Sequence, residues 1–186
     1  MKVSGYILAG GKSSRMGSDK GLLLIQNKPF VSYIFEALSN VCDSITVVTS
    51  NKEYNKLGFN TIQDFIPNKG PVGGLFTVLN DTKTDLNFVI SVDAPFVTSE
   101  LLQWMILNHK LEAQITLLVN DEKEIPLIAI YNRNLESTFK KAIDQDQLKL
   151  RNLVHSVNIN LLQVPEEFKN QIQNINTKEE YKNCLK

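Results

Sequence analysis

Apolar residues along this chain recur in two rhythms. Short, largely apolar runs at residues 3–8, 45–49 and 87–92 read as strands, the last of them covered on both faces. Between them, apolar positions return at helical spacing. Behind Pro29, which suits the first turn of a helix, Phe30, Tyr33, Ile34, Ala37 and Leu38 share one face. A short strand at 60–63 leads to Asp64 and a loop over 65–71, after which Gly73-Gly74 opens a helix through Leu75, Val78 and Leu79. The run at 87–92 ends in Asp93-Ala94-Pro95, and Thr98 or Ser99 can cap a helix through His109. Residues 115–119 and 127–131 predict two strands about the polar turn 120–124. Helices at 134–143 and 148–155, a strand at 157–164, a short strand at 172–175 and a closing helix from Thr177 follow.

Strands alternating with helices predict an α/β sandwich with a largely parallel sheet. The chain has no internal repeat, low-complexity tract or convincing linker. With 186 residues it has room for one substantial core, so residues 1–186 are expected to form a single domain. Twenty basic residues balance twenty acidic ones, so no overall field favours nucleic acid as a partner. Cys42 and Cys184 stand outside any metal-ligand spacing. No stretch approaches the ~20 apolar residues of a membrane span, and the first residues lack a secretory pattern. The expected setting is cytoplasmic, with no membrane contact.

The chemistry concentrates where strands end. Residues 8–20 run Leu-Ala-Gly-Gly-Lys-Ser-Ser-Arg-Met-Gly-Ser-Asp-Lys. Glycines let backbone N–H groups approach a bulky anion, and Lys12, Arg15 and Lys20 place three cations within nine residues. Such cations repel one another unless an anion joins them, so the loop is read as a polyphosphate cradle. A solvated basic turn explains the cations but not the glycines packed among them. The spacing is neither a Walker loop nor the Gly-x-Gly-x-x-Gly dinucleotide pattern. Asp93, at the end of an apolar strand with Pro95 behind it, has the character of a Mg²⁺ ligand. As turn chemistry alone, Asp64 is ambiguous. Open parallel sheets bind ligands beyond the carboxyl ends of their strands, and the loops at 9–20, 64 onward and 93–95 all fall there.

These segments resemble the molybdenum cofactor guanylyltransferases of the nucleotidyltransferase superfamily. Leu8 to Gly11, Ser14 to Gly17 and Asp19-Lys20 match the family series that wraps the triphosphate of GTP. Asp93 matches its metal-binding Asp-x-Pro, and Asp64 with Gly70-Pro71-Val72-Gly73-Gly74 matches its guanosine segment. Asn174-Ile175-Asn176-Thr177 is similar to the Asn-x-Asn-Thr segment linked to the pterin, although Thr177 with Glu180 also makes an ordinary capping box. Two positions depart from the pattern: Val92 stands where a polar residue or cysteine often precedes the Asp, and Ile125 where a polar residue usually precedes Pro126.

The resemblance implies a three-layer, mostly parallel mixed sheet of the nucleotide-diphospho-sugar-transferase-like (Rossmann-like) kind. It implies Mg²⁺-dependent transfer of GMP from GTP to molybdopterin, with other cofactor-biosynthesis proteins or molybdoenzymes as further partners. Lys20, Arg15 and Asp93 would carry catalysis. Leu8, Ala9, Gly10, Gly11, Asp64, Gly73, Asn174 and Asn176 would join them in binding. Lys20 is assigned to the α-phosphate, where charge builds during transfer, and Arg15 to the triphosphate or the incoming phosphate. Two alternatives stand beside this reading: a nucleotidyltransferase using CTP or a sugar phosphate, and a non-catalytic nucleotide-binding adaptor. His109 and His155, in helical segments without ligand-type partners, are read as surface or helix-end residues.

Overall fold

A computed structural model describes residues 2–10 and 19–185. Its order is β1 (Val3–Leu8), β2 (Leu24–Ile25), β3 (Lys28–Pro29), α1 (Phe30–Ser39), β4 (Ser44–Val48), α2 (Glu53–Lys56), β5 (Thr61–Ile62), α3 (Gly70–Asp81), β6 (Leu86–Ser91), α4 (Ser99–Leu107), β7 (Ile115–Asn120), β8 (Lys123–Asn132), α5 (Glu136–Asp144), α6 (Leu150–Val154), β9 (Ile159–Gln163) and α7 (Lys178–Cys184). Three short 3₁₀ segments, Lys20–Leu22, Arg133–Leu135 and Glu166–Ile172, complete the described elements.

Seven strands form one sheet in the order β5-β4-β1-β6-β8-β7-β9. Only β8 runs antiparallel to its neighbours, so the sheet is mixed and mostly parallel. All six residues of β1 are buried, as required when helices cover both faces. Successive side chains divide between the layers with period two. Ile7 and Ile90 pack with Ile34 and Leu38 of α1 and Leu101 of α4, whereas Leu8 and Val89 pack with Leu75 and Val78 of α3 and Phe139 of α5. Helices on both faces of a sheet give the three-layer α/β sandwich that the sequence predicts.

Several boundaries differ from the sequence pattern for identifiable reasons. Helix α3 begins at Gly70, three residues before the Gly73-Gly74 pair, because Pro71 fits a first helical turn. The polar turn expected over 120–124 tightens to Asp121 and Glu122, both left-handed at φ 46° and 65°, so β8 starts at Lys123. Pro126, which has no N–H to give a ladder, lies where the β7–β8 register shifts between Leu117 and Leu118. The short strand expected at 172–175 is absent: residues 166–172 are 3₁₀, and Ile175 N–H donates instead to the Asp93 carbonyl at 2.8 Å. The β2–β3 hairpin, turning on Gln26 and Asn27 at positive φ, and the one-turn helix α2 have no counterpart in the sequence prediction. No helix among the described residues is long and apolar enough to cross a membrane.

Candidate functional site

Chain order makes a crevice where β1 and β6 lie side by side. The chain leaves β1 toward β4 on one side, and leaves β6 toward β7 on the other. Connections that part in this way open a ligand site beyond the carboxyl ends of the two strands. Here Leu8 pairs with Ser91, Val92 N–H donates to the Leu8 carbonyl at 3.0 Å, and Ala9 N–H donates to the Val48 carbonyl at 3.0 Å. The glycine loop and the Asp93 turn therefore leave the sheet from adjacent positions.

A cleft of roughly 830 Å³ opens at this edge, with Gly10, Thr49, Asp64, Gly70, Gly74 and Leu127 on its walls. Asp64 follows β5 and borders the cleft beside the first turn of α3. Its Oδ1 is buried without a hydrogen-bond partner among the described residues, and burial raises its carboxyl above the ordinary aspartate range. A Cβ on Gly10 would lie 3.8 Å from Asp64 Oδ2, and one on Gly74 would lie 3.9 Å from Oδ1. The two glycines thus add no side chain beside either oxygen of this acid. A desolvated, unpaired acceptor beside the N-terminus of a twelve-residue helix suits a ligand with N–H donors or a cation at one end and anionic groups near the other.

The second group of residues surrounds Lys20. Its Nζ lies 3.5 Å from Asp93 Oδ2 and donates to Asn176 Oδ1 at 2.7 Å. Both partners of the Lys20–Asp93 pair are largely buried, with side chains 16% and 17% exposed. Asp93 Oδ1 is also buried without a partner among the described residues. The C-terminal segment is fastened to this point by the Ile175 N–H bond to the Asp93 carbonyl and by the capping box of α7, in which Thr177 Oγ1 accepts from Glu180 N–H. Glu180 in turn accepts from the Asn176 and Thr177 N–H groups, which lower its carboxyl below the usual glutamate range.

Of the residues singled out from sequence, Leu8, Gly10 and Asp64 border the cleft, and Lys20, Asp93 and Asn176 meet in one cluster. Ala9 is packed into the core layer beneath them. Gly73 does not line the cleft: a Cβ there would meet Lys69 Cβ at 2.9 Å and the Ile66 carbonyl at 3.1 Å, so its bareness serves the packing of the 66–69 loop. Asn174 is exposed. Gly11, Lys12 and Arg15 lie outside the described residues. Sequence reasoning missed Thr49 and Leu127 on the cleft wall, because each ends or lies within an ordinary apolar strand. His109 is tied to Thr116 Oγ1 at 2.8 Å, with its imidazole pKa lowered by burial, and His155 pairs with Glu124 at 2.9 Å. Neither histidine lines the cleft. Both cysteines are free.

Known proteins share this arrangement of strands and loops. A family model described as the MobA-like NTP transferase domain matches residues 5–160. A Flavobacterium johnsoniae protein named a probable molybdenum cofactor guanylyltransferase is 40% identical over 175 residues, covering 94% of this chain and 92% of that protein. The crystal structure of an Aquifex aeolicus protein superposes with a TM-score of 0.82 at 27% identity, covering 94% of each chain. Molybdopterin-guanine dinucleotide biosynthesis protein A from Archaeoglobus fulgidus has the same fold, with a TM-score of 0.82 at 22% identity over 98% of this chain and 96% of that one. This chain belongs to the MobA-like NTP transferase domain family.

Proposed function

We propose that this protein transfers GMP from GTP to molybdopterin carrying molybdenum, forming the guanine dinucleotide and releasing pyrophosphate, with residues 1–186 acting as one nucleotidyltransferase domain in the cytoplasm. The observation that carries the reading is the meeting of Lys20, Asp93 and Asn176 at the β1–β6 crevice, 3.5 Å and 2.7 Å apart, in a chain 40% identical to a named guanylyltransferase. A cation and a strand-end carboxylate at the same edge of the sheet as a cleft lined by glycines supply what nucleotidyl transfer needs, which is placement and charge neutralisation.

The donor set fits Mg²⁺. This ion takes one or two carboxylates and completes its shell with waters and substrate phosphates, and Asp93 Oδ1 is a buried acceptor with no protein partner among the described residues. Asp93 would hold the ion, which when bound neutralises charge on the phosphates. Lys20 places its ammonium where the α-phosphate gathers negative charge, and the backbone of Leu8, Ala9, Gly10 and Gly11 cradles the triphosphate with Arg15. Asp64, with the glycines that open α3, accepts from the guanosine end. Asn174 and Asn176 hold the pterin. Its terminal phosphate is already an anion, so the attack in line on the α-phosphorus needs no general base.

A thermal-shift panel of GTP, CTP, UTP and ATP with Mg²⁺, followed by pyrophosphate release in the presence of molybdopterin, tests the proposal. Selective stabilisation by GTP together with pterin-dependent release is expected. A response to CTP alone, or GTP binding without release, would reject it.

A further inference from the structure

Asp19 and Lys20 stand together in the series that resembles the family's triphosphate segment, yet their side chains part company. Lys20 reaches the Asp93 cluster, while Asp19 turns toward the protein. Its Oδ1 accepts from Gly21 N–H at 3.0 Å and from the Tyr54 hydroxyl at 2.5 Å, and its Oδ2 accepts from Asn51 Nδ2 at 2.9 Å. Three protein donors occupy this carboxylate, two of them from the segment that follows β4. Those two are anchored in their turn. Tyr54, on α2, is 0% exposed, and burial followed by Asp19 pushes its phenol far above the ordinary range, so it stays a donor. Asn51 N–H donates to Thr49 Oγ1 at 3.1 Å, and Asn51 Oδ1 accepts from Glu53 N–H at 3.0 Å, which roots the amide between the end of β4 and the start of α2.

The neighbour on the other side of Lys20 is fixed just as firmly. A Cβ on Gly21 would fall 2.2 Å from Tyr54 Oη and 2.6 Å from Val92 Cγ2. The backbone of residue 21 is therefore pressed between the tyrosine and the residue that precedes Asp93. Lys20 hangs from a backbone held at residue 19 by a carboxylate and at residue 21 by close packing, and Tyr54 is a party to both. Lysine has four rotatable side-chain bonds and no preferred reach of its own, so the place of its ammonium depends on where its Cα is set.

We propose that Asp19 and Tyr54 are positioning residues: they latch the end of the glycine loop onto α2 so that Lys20 stands beside Asp93, and they do not touch the nucleotide. The inference rests on the role given to Lys20 above. A displacement of about 1 Å at a group that acts on the reacting centre is enough to cost on the order of 10²-fold in rate. Loss of the latch should therefore appear in kcat, where Lys20 acts, and not in the affinity for GTP.

The test uses the full chain with GTP, Mg²⁺ and molybdopterin, and reads initial rates of pyrophosphate release. Tyr54→Phe keeps the buried ring and deletes the hydroxyl. It should lower kcat about 10- to 100-fold while the KM for GTP stays within about threefold. Asp19→Ala should lose as much, and Asp19→Asn, which keeps a carbonyl acceptor for Tyr54, should recover part of the loss. In a Lys20→Ala background, Tyr54→Phe should cost little more, since the latch acts through the missing side chain. A Tyr54→Phe enzyme with kcat within about twofold of the parent, a loss that adds in full to that of Lys20→Ala, or a raised KM at unchanged kcat would overturn the latch. If the parent itself releases no pyrophosphate, the proposed function falls, and the catalytic role of the latch falls with it. A parent that turns over beside an unaffected Tyr54→Phe removes the latch alone.

Discussion

Gly21→Ala puts one methyl group into the tightest contact of the site. The added Cβ would meet Tyr54 Oη at 2.2 Å, Val92 Cγ2 at 2.6 Å and Tyr54 Cζ at 3.1 Å. Carbon atoms rest about 3.5–4.0 Å from their neighbours, so the nearest contacts need relief of about an ångström or more. Tyr54 is 0% and Val92 is 7% exposed, and neither has space to withdraw. The strain must then lift the 19–22 backbone or push α2 outward, and either motion pulls apart the bonds from Gly21 N–H and Tyr54 to Asp19. Overpacking of a filled interior costs about 1–3 kcal/mol, and a hydrogen bond to a charged group contributes about 1.5–3 kcal/mol.

A total of about 2.5–6 kcal/mol predicts a fall in Tm of roughly 5–24 °C for a chain of this size, readable by circular dichroism. Adding Tyr54→Phe removes the atom at 2.2 Å but leaves Val92 at 2.6 Å, so the double variant should regain part of that loss. The order matters, because Tyr54→Phe destabilises the parent and stabilises the alanine variant. A Gly21→Ala protein melting within about 2 °C of the parent would show that the loop yields freely, and the reasoning would fail. So would a double variant whose two losses simply add.

Two further substitutions address the carboxylates. Asp93→Asn should abolish pyrophosphate release while moving Tm by no more than about 3 °C, since Asp93 Oδ1 has no partner to lose among the described residues and Lys20 keeps its bond to Asn176; near-normal turnover would remove Asp93 from its proposed role. Burial raises the Asp64 carboxyl above the ordinary value near 3.8, so the folded protein holds this proton at pH values where the unfolded chain has released it. The parent should therefore lose stability as pH rises through that window, and Asp64→Asn should remove this part of the slope in Tm against pH. Equal slopes in parent and variant would discard burial as the cause.

Much of the fold was legible because it depends on patterns that packing enforces. The apolar runs of β1 and β6 read as strands covered twice, and α1 between them shows one apolar face. Asp93 was legible for a related reason: a carboxylate directly after a buried strand has nowhere to go but its carboxyl edge. The failures lie where few residues decide. β2 and β3 are two residues long, too short for any alternation to declare itself. The apolar residues Ile172 and Ile175 look like a strand, yet they anchor separately, Ile172 in the main core and Ile175 beside Phe30. The direction of Asp19 could not be read at all, since it is set by a tyrosine thirty-five positions away. Sequence neighbours in a tight loop share a location but not an orientation.

Polar satisfaction separates the two ends of the sheet on physical grounds alone. At the amino edge of β1 and β6, Ser4, Thr82, Thr84 and Asn87 form a closed network in which Asn87 Nδ2 also donates to the Tyr131 carbonyl at 3.2 Å. Such a network holds strands in register and leaves nothing for a ligand. At the carboxyl edge the pattern reverses. The three side-chain oxygens buried without a partner among the described residues belong to Asp64, Asp93 and Asn120, which follow or end β5, β6 and β7. An unpaired buried acceptor costs about 1–3 kcal/mol, and chance would scatter such costs over both edges. Their gathering at one edge, on three strands of this sheet, is what a surface reserved for an incoming donor or cation requires. Asp19 lies at the same edge with both oxygens paired, which fits the positioning role proposed for it beside Lys20, to which the proposal gives the chemistry.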